Sequence, residues 1–185
     1  TFPSCTWRFP RQNVPLPSVS SESWLDEYLS GFPKEALFLY LLLKGHKDYY
    51  YKTDHHWTML GAKVAYEYYM GKESRLSLSP VKEDFLGTLY FQAPTLNSVT
   101  DTILTTENME IEARYNDGTI KNSYYSSKHL KTNDSYRYYL DGNYERIDIH
   151  TSTPNGKSLL VVKDSYANCF VPFLNEDYEY ITILD

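Results

Sequence analysis

Residues 158–184 read SLLVVKDSYANCFVPFLNEDYEYITIL and contain the pattern that decides the fold. The run Ser158–Val162 is apolar after its serine, which is typical of a central strand buried on both faces. A helix is predicted from Tyr166 to about Leu174, and a second strand from Glu179 to Leu184. This order predicts a βαβ unit in an α/β domain.

Ser165 lies just past the carboxyl end of the first of these strands, at the start of the predicted helix. Ligands of open α/β sheets bind at that end of the strands. A helix N-terminus also offers free N–H groups to a developing oxyanion. A serine in this position can act as a nucleophile when a base lies beside it. Ser165 or Asp164 can equally be no more than a helix N-cap.

A second polar motif, KTDHHWT at residues 52–58, has the same kind of location. It follows a predicted strand, Asp48–Lys52, and precedes a predicted helix, Met59–Met70. Thr58 can cap this helix and Gly71 can end it. The two motifs are therefore both expected at the carboxyl edge of the sheet.

Asp54 and His56 point the same way if the backbone between them is extended, and His55 then faces the opposite side. Asp54 can accept one imidazole N–H and leave the other nitrogen of His56 to take a proton from a hydroxyl. We therefore predict Ser165 as nucleophile, His56 as base and Asp54 as the carboxylate that orients it. His55 is predicted to support this group, and Trp57 to line the site or to pack in the core.

The chain of 185 residues is long enough for one domain, which we place at residues 1–185. Residues 1–19 contain four prolines and are predicted to be irregular. Residues from about 80 to 130 are predicted to be loop with a β insertion, because Asn116-Asp117-Gly118 is a good hairpin turn. The remaining predicted elements are helices over Ser20–Ser30 and Lys34–Lys44, a helical turn over Ser135–Leu140 and a strand over Arg146–Thr151.

Composition narrows the classes of function. The net charge of −6 argues against a nucleic-acid surface, which normally shows a basic stripe. There is no apolar run of the roughly 20 residues that span a bilayer, and no signal-peptide pattern is visible. The 19 tyrosines suit either half-buried strand positions or a groove that stacks on sugars.

Several other polar residues compete with this site. Asp148 and His150 repeat the Asp-x-His spacing, but the alternation of their strand directs them outward. Cys169 lies inside the predicted helix and is expected to be packed and inert. His46 and His129 stand alone in polar segments and are predicted to lie at the surface.

A metal site is not predicted. Asp54, His55 and His56 could supply ligands, but adjacent side chains rarely converge on one ion, and no other cluster offers the remaining ligands. Cys5 and Cys169 have no metal-ligand spacing and make no disulfide framework. No cofactor is expected.

The two motifs resemble the DHHW proteins, a bacterial family named for the tetrapeptide at residues 54–57. The stretches YYYKTDHHWTMLGAKVAYEYY at 49–69 and LLVVKDSYANCFVPFL at 159–174 carry the resemblance. Weaker similarity runs through YLDGNYERIDIH at 139–150. The resemblance covers roughly residues 45–185.

More distantly, the motifs are similar to the SGNH-hydrolase-like domains of bacterial exopolysaccharide O-acetyltransferases of the alginate type. Those domains place Asp-x-His early and the serine late, as Asp54, His56 and Ser165 stand here. The resemblance implies a three-layer α/β/α sandwich of SGNH-hydrolase (flavodoxin-like) type with a mostly parallel sheet and a β-hairpin insertion. Asp164-Ser165 also resembles the Asp-Ser of SGNH enzymes, but Lys163 stands where glycine is usual.

SGNH enzymes supply oxyanion donors from a glycine and an asparagine. Gly142 and Asn143 are the candidates here, together with the backbone N–H groups of Ser165 and Tyr166. Gly142-Asn143 can also be a simple turn.

The resemblance implies a function in acyl-ester chemistry. The expected reaction is O-acetyl transfer to, or removal from, a cell-envelope polysaccharide through an acyl-serine. It also implies an extracytoplasmic location, a polysaccharide or other acylated substrate, and a membrane partner that supplies the acyl group. The alternative is a non-catalytic polysaccharide-binding or scaffold domain with the same fold.

Overall fold

The computed structural model describes residues 46–93, 99–107 and 109–185. All of them belong to one compact unit. The predicted irregular segment 1–19 and the predicted helices Ser20–Ser30 and Lys34–Lys44 lie outside the described residues. In the part of the chain that is described, no helix combines the length and the apolarity that crossing a membrane requires.

The predicted helix after the first motif is confirmed. Helix α1 spans Met59–Met70, the Thr58 hydroxyl accepts a hydrogen bond from the Gly61 N–H, and Gly71 ends the helix at φ 64°. Such a positive φ suits glycine because an L side chain strains it. The predicted strand Asp48–Lys52 is wrong, since Lys47–Tyr49 forms a 3-10 helix. This helix lies close against α1, where a Cβ on Gly61 would come 2.6 Å from the Tyr49 carbonyl oxygen.

The described residues form two sheets. The strands are β1 (Ser79–Phe85), β2 (Asp101–Thr105), β3 (Ile111–Tyr115), β4 (Ile120–Lys121), β5 (Arg146–Thr151), β6 (Ser158–Val162) and β7 (Tyr180–Leu184). Strands β1 and β2 make a separate antiparallel pair, and the other five follow the order β4-β3-β5-β7-β6. Only β6 and β7 are parallel in the larger sheet.

The predicted three-layer α/β/α sandwich with a mostly parallel sheet is therefore wrong. Two further helices, α2 (Thr88–Gln92) and α3 (Val171–Leu174), have only 5 and 4 residues. The hairpin around Asn116-Asp117-Gly118 forms as predicted, but β3 pairs along its length with β5 and extends the main sheet. Because antiparallel pairing replaces crossover helices, the described part of the sheet is mixed.

Strand β6 also differs from its prediction. It pairs only with β7, so it is an edge strand of the described sheet, and Leu160 and Val162 are 56% and 38% exposed. A run of apolar residues predicts a strand but does not specify how many neighbours it has. The βαβ order around Ser165 is nevertheless present, because β6 and β7 run parallel across the connection.

The core lies on one face of the larger sheet. The alternation of β5 and β7 buries Ile147, Ile149, Ile181 and Ile183, and Phe173 of α3 is fully buried in the same cluster. Many tyrosines are also buried, mostly in connecting segments and short helices rather than at the predicted half-buried strand positions: Tyr51, Tyr66, Tyr115, Tyr124, Tyr136, Tyr138 and Tyr139. Their hydroxyl groups find partners inside the fold, as buried tyrosines usually do.

Candidate active site

The carboxylate of Asp54 and the imidazole of His56 lie side by side. Asp54 Oδ1 is 2.5 Å from His56 Nδ1 and also accepts the backbone N–H of His56 at 3.0 Å. Both side chains are almost fully buried. The backbone N–H thus fixes the carboxylate, and the carboxylate in turn fixes the orientation of the imidazole ring.

The other nitrogen of the same imidazole meets the second motif. His56 Nε2 is 2.8 Å from Ser165 Oγ, although 109 positions separate the two residues in the chain. Ser165 is only partly buried, so its hydroxyl group lies at the surface end of the series. The structure therefore brings Asp54, His56 and Ser165 together in the predicted order, within hydrogen-bond distance.

Two residues that sequence reasoning missed build the Asp54 side of the site. Thr88 donates its backbone N–H to Asp54 Oδ2 at 2.9 Å and its hydroxyl to the same oxygen at 3.1 Å. A Cβ on Gly87 would lie 2.2 Å from Asp54 Cβ, so only glycine permits this approach. The pair Gly87-Thr88 begins α2, and a glycine followed by a hydroxyl residue is the sequence signal that could have pointed to it.

A third missed residue, Asp101, shapes the loop that precedes Asp54. Its carboxylate accepts the N–H groups of Lys52 at 3.0 Å and Thr53 at 2.7 Å, and the Thr53 hydroxyl at 2.6 Å. Thr53 Oγ1 in turn accepts the N–H of Gly87 at 3.0 Å. The buried Asp101 carboxylate on β2 thus stabilises the loop conformation that places Asp54 beside His56.

The Ser165 side of the site is a tight helical turn. Ser165–Cys169 form a 3-10 helix whose N-cap is Asp164, and the Asp164 carboxylate accepts the Tyr166 N–H at 3.0 Å. Asp164 therefore does fill the N-cap role that its residue type favours. Its bond also occupies one of the N–H groups that were predicted to hold an oxyanion.

Aromatic side chains tie the two motifs together. Trp57 Nε1 donates to the Tyr166 carbonyl oxygen at 2.7 Å, and the Tyr166 hydroxyl donates to the His55 carbonyl oxygen. The Trp57 ring also stacks near Phe170, with centroids 6.3 Å apart. Trp57 and Tyr166 thus line one side of the site, and their hydrogen bonds connect the motif at residues 52–58 to the turn that carries Ser165.

Comparison with known proteins identifies the family. Residues 33–184 match the family described as DHHW protein. The chain belongs to the DHHW protein family. No curated protein matches the chain significantly.

Solved structures share the fold of this DHHW protein. A DHHW family protein from Eubacterium siraeum aligns with a TM-score of 0.66 and 24% identity, over 80% of this chain and 55% of that one. PatB1 of Bacillus cereus with a sulfonyl adduct aligns with a TM-score of 0.57 and 22% identity, over 88% and 57% of the two chains. A second PatB1 structure gives 0.55 and 20%, over 87% and 58%. The chain spans little more than half the length of these structures, and at such identity the likeness is one of fold.

His55 of the DHHW protein lies on the same side as Asp54 and His56 rather than opposite them. The loop bends, and the His55 ring lies tilted by 37° against His56, with centroids 3.9 Å apart, while its Nδ1 lies 2.7 Å from Thr88 Oγ1. Its side chain is 48% exposed. Partial burial and the neighbouring His56 lower the pKa of His55, so this ring favours its neutral form.

The charge of Asp54 is set by its hydrogen bonds. Burial alone raises the pKa of a carboxyl group, but the bonds from His56 and Thr88 outweigh it and hold the pKa of Asp54 well below its ordinary value. Asp54 is therefore ionised at neutral pH. An ionised orienting carboxylate stabilises a positive charge on the adjacent imidazole.

Among the described residues, neither Gly142 nor Asn143 forms a hydrogen bond with Asp54, His56 or Ser165. Asn143 is exposed, and its Oδ1 accepts from Asn168 Nδ2 at 2.9 Å, three positions beyond Ser165. Gly142 has φ 104° and packs against the Arg137 side chain. The asparagine therefore reaches the 3-10 helix through Asn168 rather than at Ser165 itself.

The competing residues have other environments. Asp148 pairs with Arg146 on the outward face of the sheet, and His150 is exposed beside Glu179, as the alternation predicts. Cys169 is a buried free thiol, and burial raises its pKa to about 12, so the expectation of an inert cysteine is right.

His46 is exposed, as predicted, but the surface prediction for His129 is wrong. His129 is buried because its Nε2 lies 2.5 Å from the Asp141 carboxylate. A histidine in a polar segment can thus be buried when a distant carboxylate pairs with it.

Asp54, His55 and His56 also carry groups that can bind a cation. One ligand atom each from Asp54, His55 and His56 lie within 4.8 Å of one another. However, both nitrogens of His56 and both oxygens of Asp54 already take part in hydrogen bonds within the protein. A cation bound there would have to displace these hydrogen bonds.

Proposed function

We propose that this DHHW protein carries out serine-dependent acyl-ester chemistry: O-acetyl transfer to, or removal from, a cell-envelope polysaccharide. The observation that carries the proposal is the unbroken hydrogen-bonded series from Asp54 through His56 to Ser165. A hydroxyl, an imidazole and a carboxylate in this order are the groups that acyl transfer through a covalent serine ester needs.

In the first half-reaction, the Ser165 hydroxyl gives its proton to His56 Nε2 and its Oγ attacks the carbonyl carbon of an acyl ester. The tetrahedral intermediate collapses, the bond to the leaving oxygen breaks, and that oxygen takes the proton from His56. In the second half, an incoming hydroxyl gives its proton to His56 and attacks the acyl-serine. The bond between the acyl carbon and Ser165 Oγ then breaks, and Ser165 Oγ takes the proton back from His56. Water as the acceptor gives an esterase, and a sugar hydroxyl gives a transferase.

Asp54 acts through His56 rather than on the substrate. Its ionised carboxylate keeps the proton of the neutral imidazole on Nδ1, so that Nε2 is free to accept the proton of Ser165. It also stabilises the imidazolium that forms in each half-reaction. The low pKa of Asp54 supports this role, since the carboxylate stays charged across the pH range of the reaction.

The developing oxyanion needs donors that are not already occupied. The N–H of Ser165 begins the 3-10 helix and so has no partner within that helix. It is the backbone donor that we assign, whereas the Tyr166 N–H is occupied by Asp164. Asn143 can contribute only if it exchanges its bond with Asn168 for one with the substrate.

The acceptor and the setting rest on resemblance. The polysaccharide substrate, the membrane partner that supplies the acyl group and the cell-envelope location are proposed from the similarity of both motifs to exopolysaccharide O-acetyltransferase domains. The half-exposed aromatic wall of Trp57 and Tyr166 is compatible with a sugar ligand, because sugar C–H faces stack on such rings.

A sulfonyl fluoride tests the nucleophile directly. PatB1, which has a similar fold, was solved with a sulfonyl adduct. An arylsulfonyl fluoride transfers its sulfonyl group to an activated hydroxyl and releases fluoride, and we expect a single mass increase located at Ser165. Ser165→Ala should remain unmodified, whereas Ser158→Ala, which removes a serine at the start of β6, should react like the wild type.

Hydrolysis of an acetyl ester then distinguishes an enzyme from a non-catalytic domain with the same fold. We expect the wild type to hydrolyse p-nitrophenyl acetate and the Ser165→Ala variant to lose this activity. The rival function, a polysaccharide-binding or scaffold domain, predicts that both proteins are equally inert to the ester and to the sulfonyl fluoride. That result would rule out the acyl-serine proposal.

A further inference from the structure

Tyr136 contacts both halves of the triad, although it belongs to neither motif. It lies in the 3-10 helix Ser135–Tyr138 and is almost fully buried. Its ring stacks on the His56 imidazole with centroids 3.7 Å apart and an interplanar angle of 6°. Its hydroxyl donates to the carbonyl oxygens of Ser165 and Tyr166, both at 3.2 Å.

The His56 ring is enclosed on all sides that matter for its orientation. Its two nitrogens face Asp54 and Ser165, the Tyr136 ring stacks on it at 3.7 Å, and the His55 ring lies tilted against it at 3.9 Å. His56 therefore cannot tilt without displacing the buried Tyr136.

The Tyr136 hydroxyl contacts the helical turn that carries Ser165. The Ser165 and Tyr166 carbonyls belong to the first turn of the 3-10 helix, and the hydroxyl also lies 3.4 Å from Cys169 Sγ at the end of that helix. One phenol thus spans the whole turn that presents Ser165 Oγ. Burial raises the pKa of Tyr136 far above its ordinary value, so its proton remains available as a donor.

Neighbouring rings fix Tyr136 in turn. Tyr139 and Tyr51 both meet it edge to face, with centroids 5.3 and 6.3 Å away. The Tyr139 hydroxyl donates to the Leu104 carbonyl oxygen at 2.7 Å, which links the cluster to β2. Tyr51 and Tyr139 therefore restrain the ring of Tyr136. A residue that positions catalytic groups requires such pre-organisation.

We propose that Tyr136 is a positioning residue that sets the base and the nucleophile of this site in one plane, its ring acting on His56 and its hydroxyl on the Ser165 turn. The ring also stabilises the imidazolium that forms when Ser165 is deprotonated, because a cation is attracted to the face of an aromatic ring. The inference rests on the proposed acyl-serine chemistry for its effect on rate. Its effect on His56 does not depend on any substrate.

Two substitutions separate the ring from the hydroxyl. Tyr136→Phe keeps the stacked ring and removes the donor, so we expect the titration of His56 to stay unchanged and sulfonylation of Ser165 to slow roughly tenfold. Tyr136→Met fills similar space without an aromatic face. We expect its His56 titration curve to move to lower pH than that of the wild type, because the imidazolium loses the ring face.

The titration is followed by NMR on isotope-labelled histidine, with His56 assigned by a His56→Gln variant. The titratable groups that face His56 are Asp54, His55, Tyr136 and Tyr166, and only Tyr136 changes in these variants. Tyr138→Met is the matched control. It removes a buried tyrosine from the same 3-10 helix whose hydroxyl instead bonds Thr105, so it should cost stability without moving the His56 titration.

The outcomes are distinct. A Tyr136→Phe variant that reacts at the wild-type rate overturns the role of the hydroxyl, and an unmoved His56 titration in Tyr136→Met overturns the role of the ring. An equal shift of the His56 titration in Tyr138→Met would also overturn the role of the ring. If the wild type does not react with the sulfonyl fluoride at all, the acyl-serine function fails, while the His56 titration still decides the part played by Tyr136.

Discussion

Thr88 donates two hydrogen bonds to one oxygen of Asp54, from its backbone N–H at 2.9 Å and from its hydroxyl at 3.1 Å. The same hydroxyl oxygen lies 2.7 Å from His55 Nδ1. A hydroxyl both accepts and donates, so it can accept a hydrogen bond from the His55 Nδ1–H while it donates one to the Asp54 carboxylate. One threonine at the start of α2 thus orients both neighbours of His56.

Thr88→Val removes this hydroxyl and keeps the shape of the side chain. A hydrogen bond to a charged group contributes about 1.5–3 kcal/mol, so we expect the sulfonylation rate of Ser165 to fall by about tenfold or more. The backbone N–H of Thr88, which is the Thr88 bond that lowers the pKa of Asp54, remains in this variant, so the pH dependence of the rate should keep its shape.

Reaction rates measured across a range of pH check this prediction. Thr119→Val, in the exposed turn between β3 and β4, is the matched control and should leave both rate and pH profile unchanged. Equal behaviour of the two variants would show that the Thr88 hydroxyl does not support Asp54.

Gly87→Ala places a methyl group where the Asp54 side chain lies, since a Cβ would come 2.2 Å from Asp54 Cβ and 2.5 Å from its Oδ2. We expect a loss of about 1–3 kcal/mol in the free energy of unfolding, as for other overpacked sites. Reactivity of Ser165 should be lost with it, because Asp54 must move away from His56.

Gly71→Ala is the comparison that separates strain from displacement. Gly71 has φ 64° with no atom near its virtual Cβ, so alanine costs about 1–2 kcal/mol of backbone strain and touches nothing in the site. Urea unfolding and sulfonylation are measured on both variants. If both lose stability and reactivity in the same proportion, the contact between Gly87 and Asp54 has no special effect.

How much of the site could be read from the sequence depends on whether the residues lie in a pattern. Asp54, His56 and Ser165 lie in two motifs that each precede a helical turn, and such local order is visible without a structure. Thr88 and Tyr136 lie alone in weakly patterned segments. The pair Gly87-Thr88 can signal the start of a helix, but only the tertiary fold brings Thr88 and Tyr136 to the site, so no spacing rule could assign them there.

The fold was predictable in its local elements and less so in its assembly. Thr58 and Gly71 mark the ends of α1 because capping is a local preference. The order of strands is not local: β3 continues the main sheet because it pairs with β5, more than thirty positions away. The apolar run of β6 was consequently predicted at the centre of a sheet, whereas it lies at the edge of the described one.

This edge position makes a quantitative prediction for two adjacent strands. Leu160 on β6 is 56% exposed, so Leu160→Ala should change the free energy of unfolding by no more than about 0.5 kcal/mol. Ile181 on β7 is buried, and Ile181→Ala should cost about 2–5 kcal/mol. Urea denaturation of both variants provides the measurement. A large loss for Leu160→Ala would mean that something covers the outer face of β6 in solution.

Asp141 is the centre of a second buried polar cluster, and its charge should govern acid stability. Asp141 has φ 61°, a conformation that is unusual outside glycine. Its carboxylate accepts bonds from five side chains: Lys121, Lys128, Ser126, His129 and Tyr144. Burial alone raises the pKa of Asp141, but these bonds, led by those from Lys121 and Lys128, hold it well below its ordinary value.

Asp141→Asn keeps the shape and removes the charge. We expect a loss of about 2–3 kcal/mol in the free energy of unfolding at neutral pH, less than for a fully buried pair because Lys128 is solvated. A lowered folded-state pKa stabilises the fold above the unfolded-state pKa of about 3.9, and that contribution disappears as the pH falls towards the folded-state pKa. The gap between wild type and variant should therefore be constant near neutral pH and should close in acid.

Urea denaturation of both proteins at neutral pH and at several acidic pH values tests this. Asp84→Asn is the control, since the Asp84 side chain is 85% exposed and its loss should leave the free energy of unfolding nearly unchanged at every pH. If the gap between wild type and Asp141→Asn instead persists undiminished in acid, the hydrogen-bond pattern of the Asp141 side chain, rather than its charge, accounts for the stabilisation.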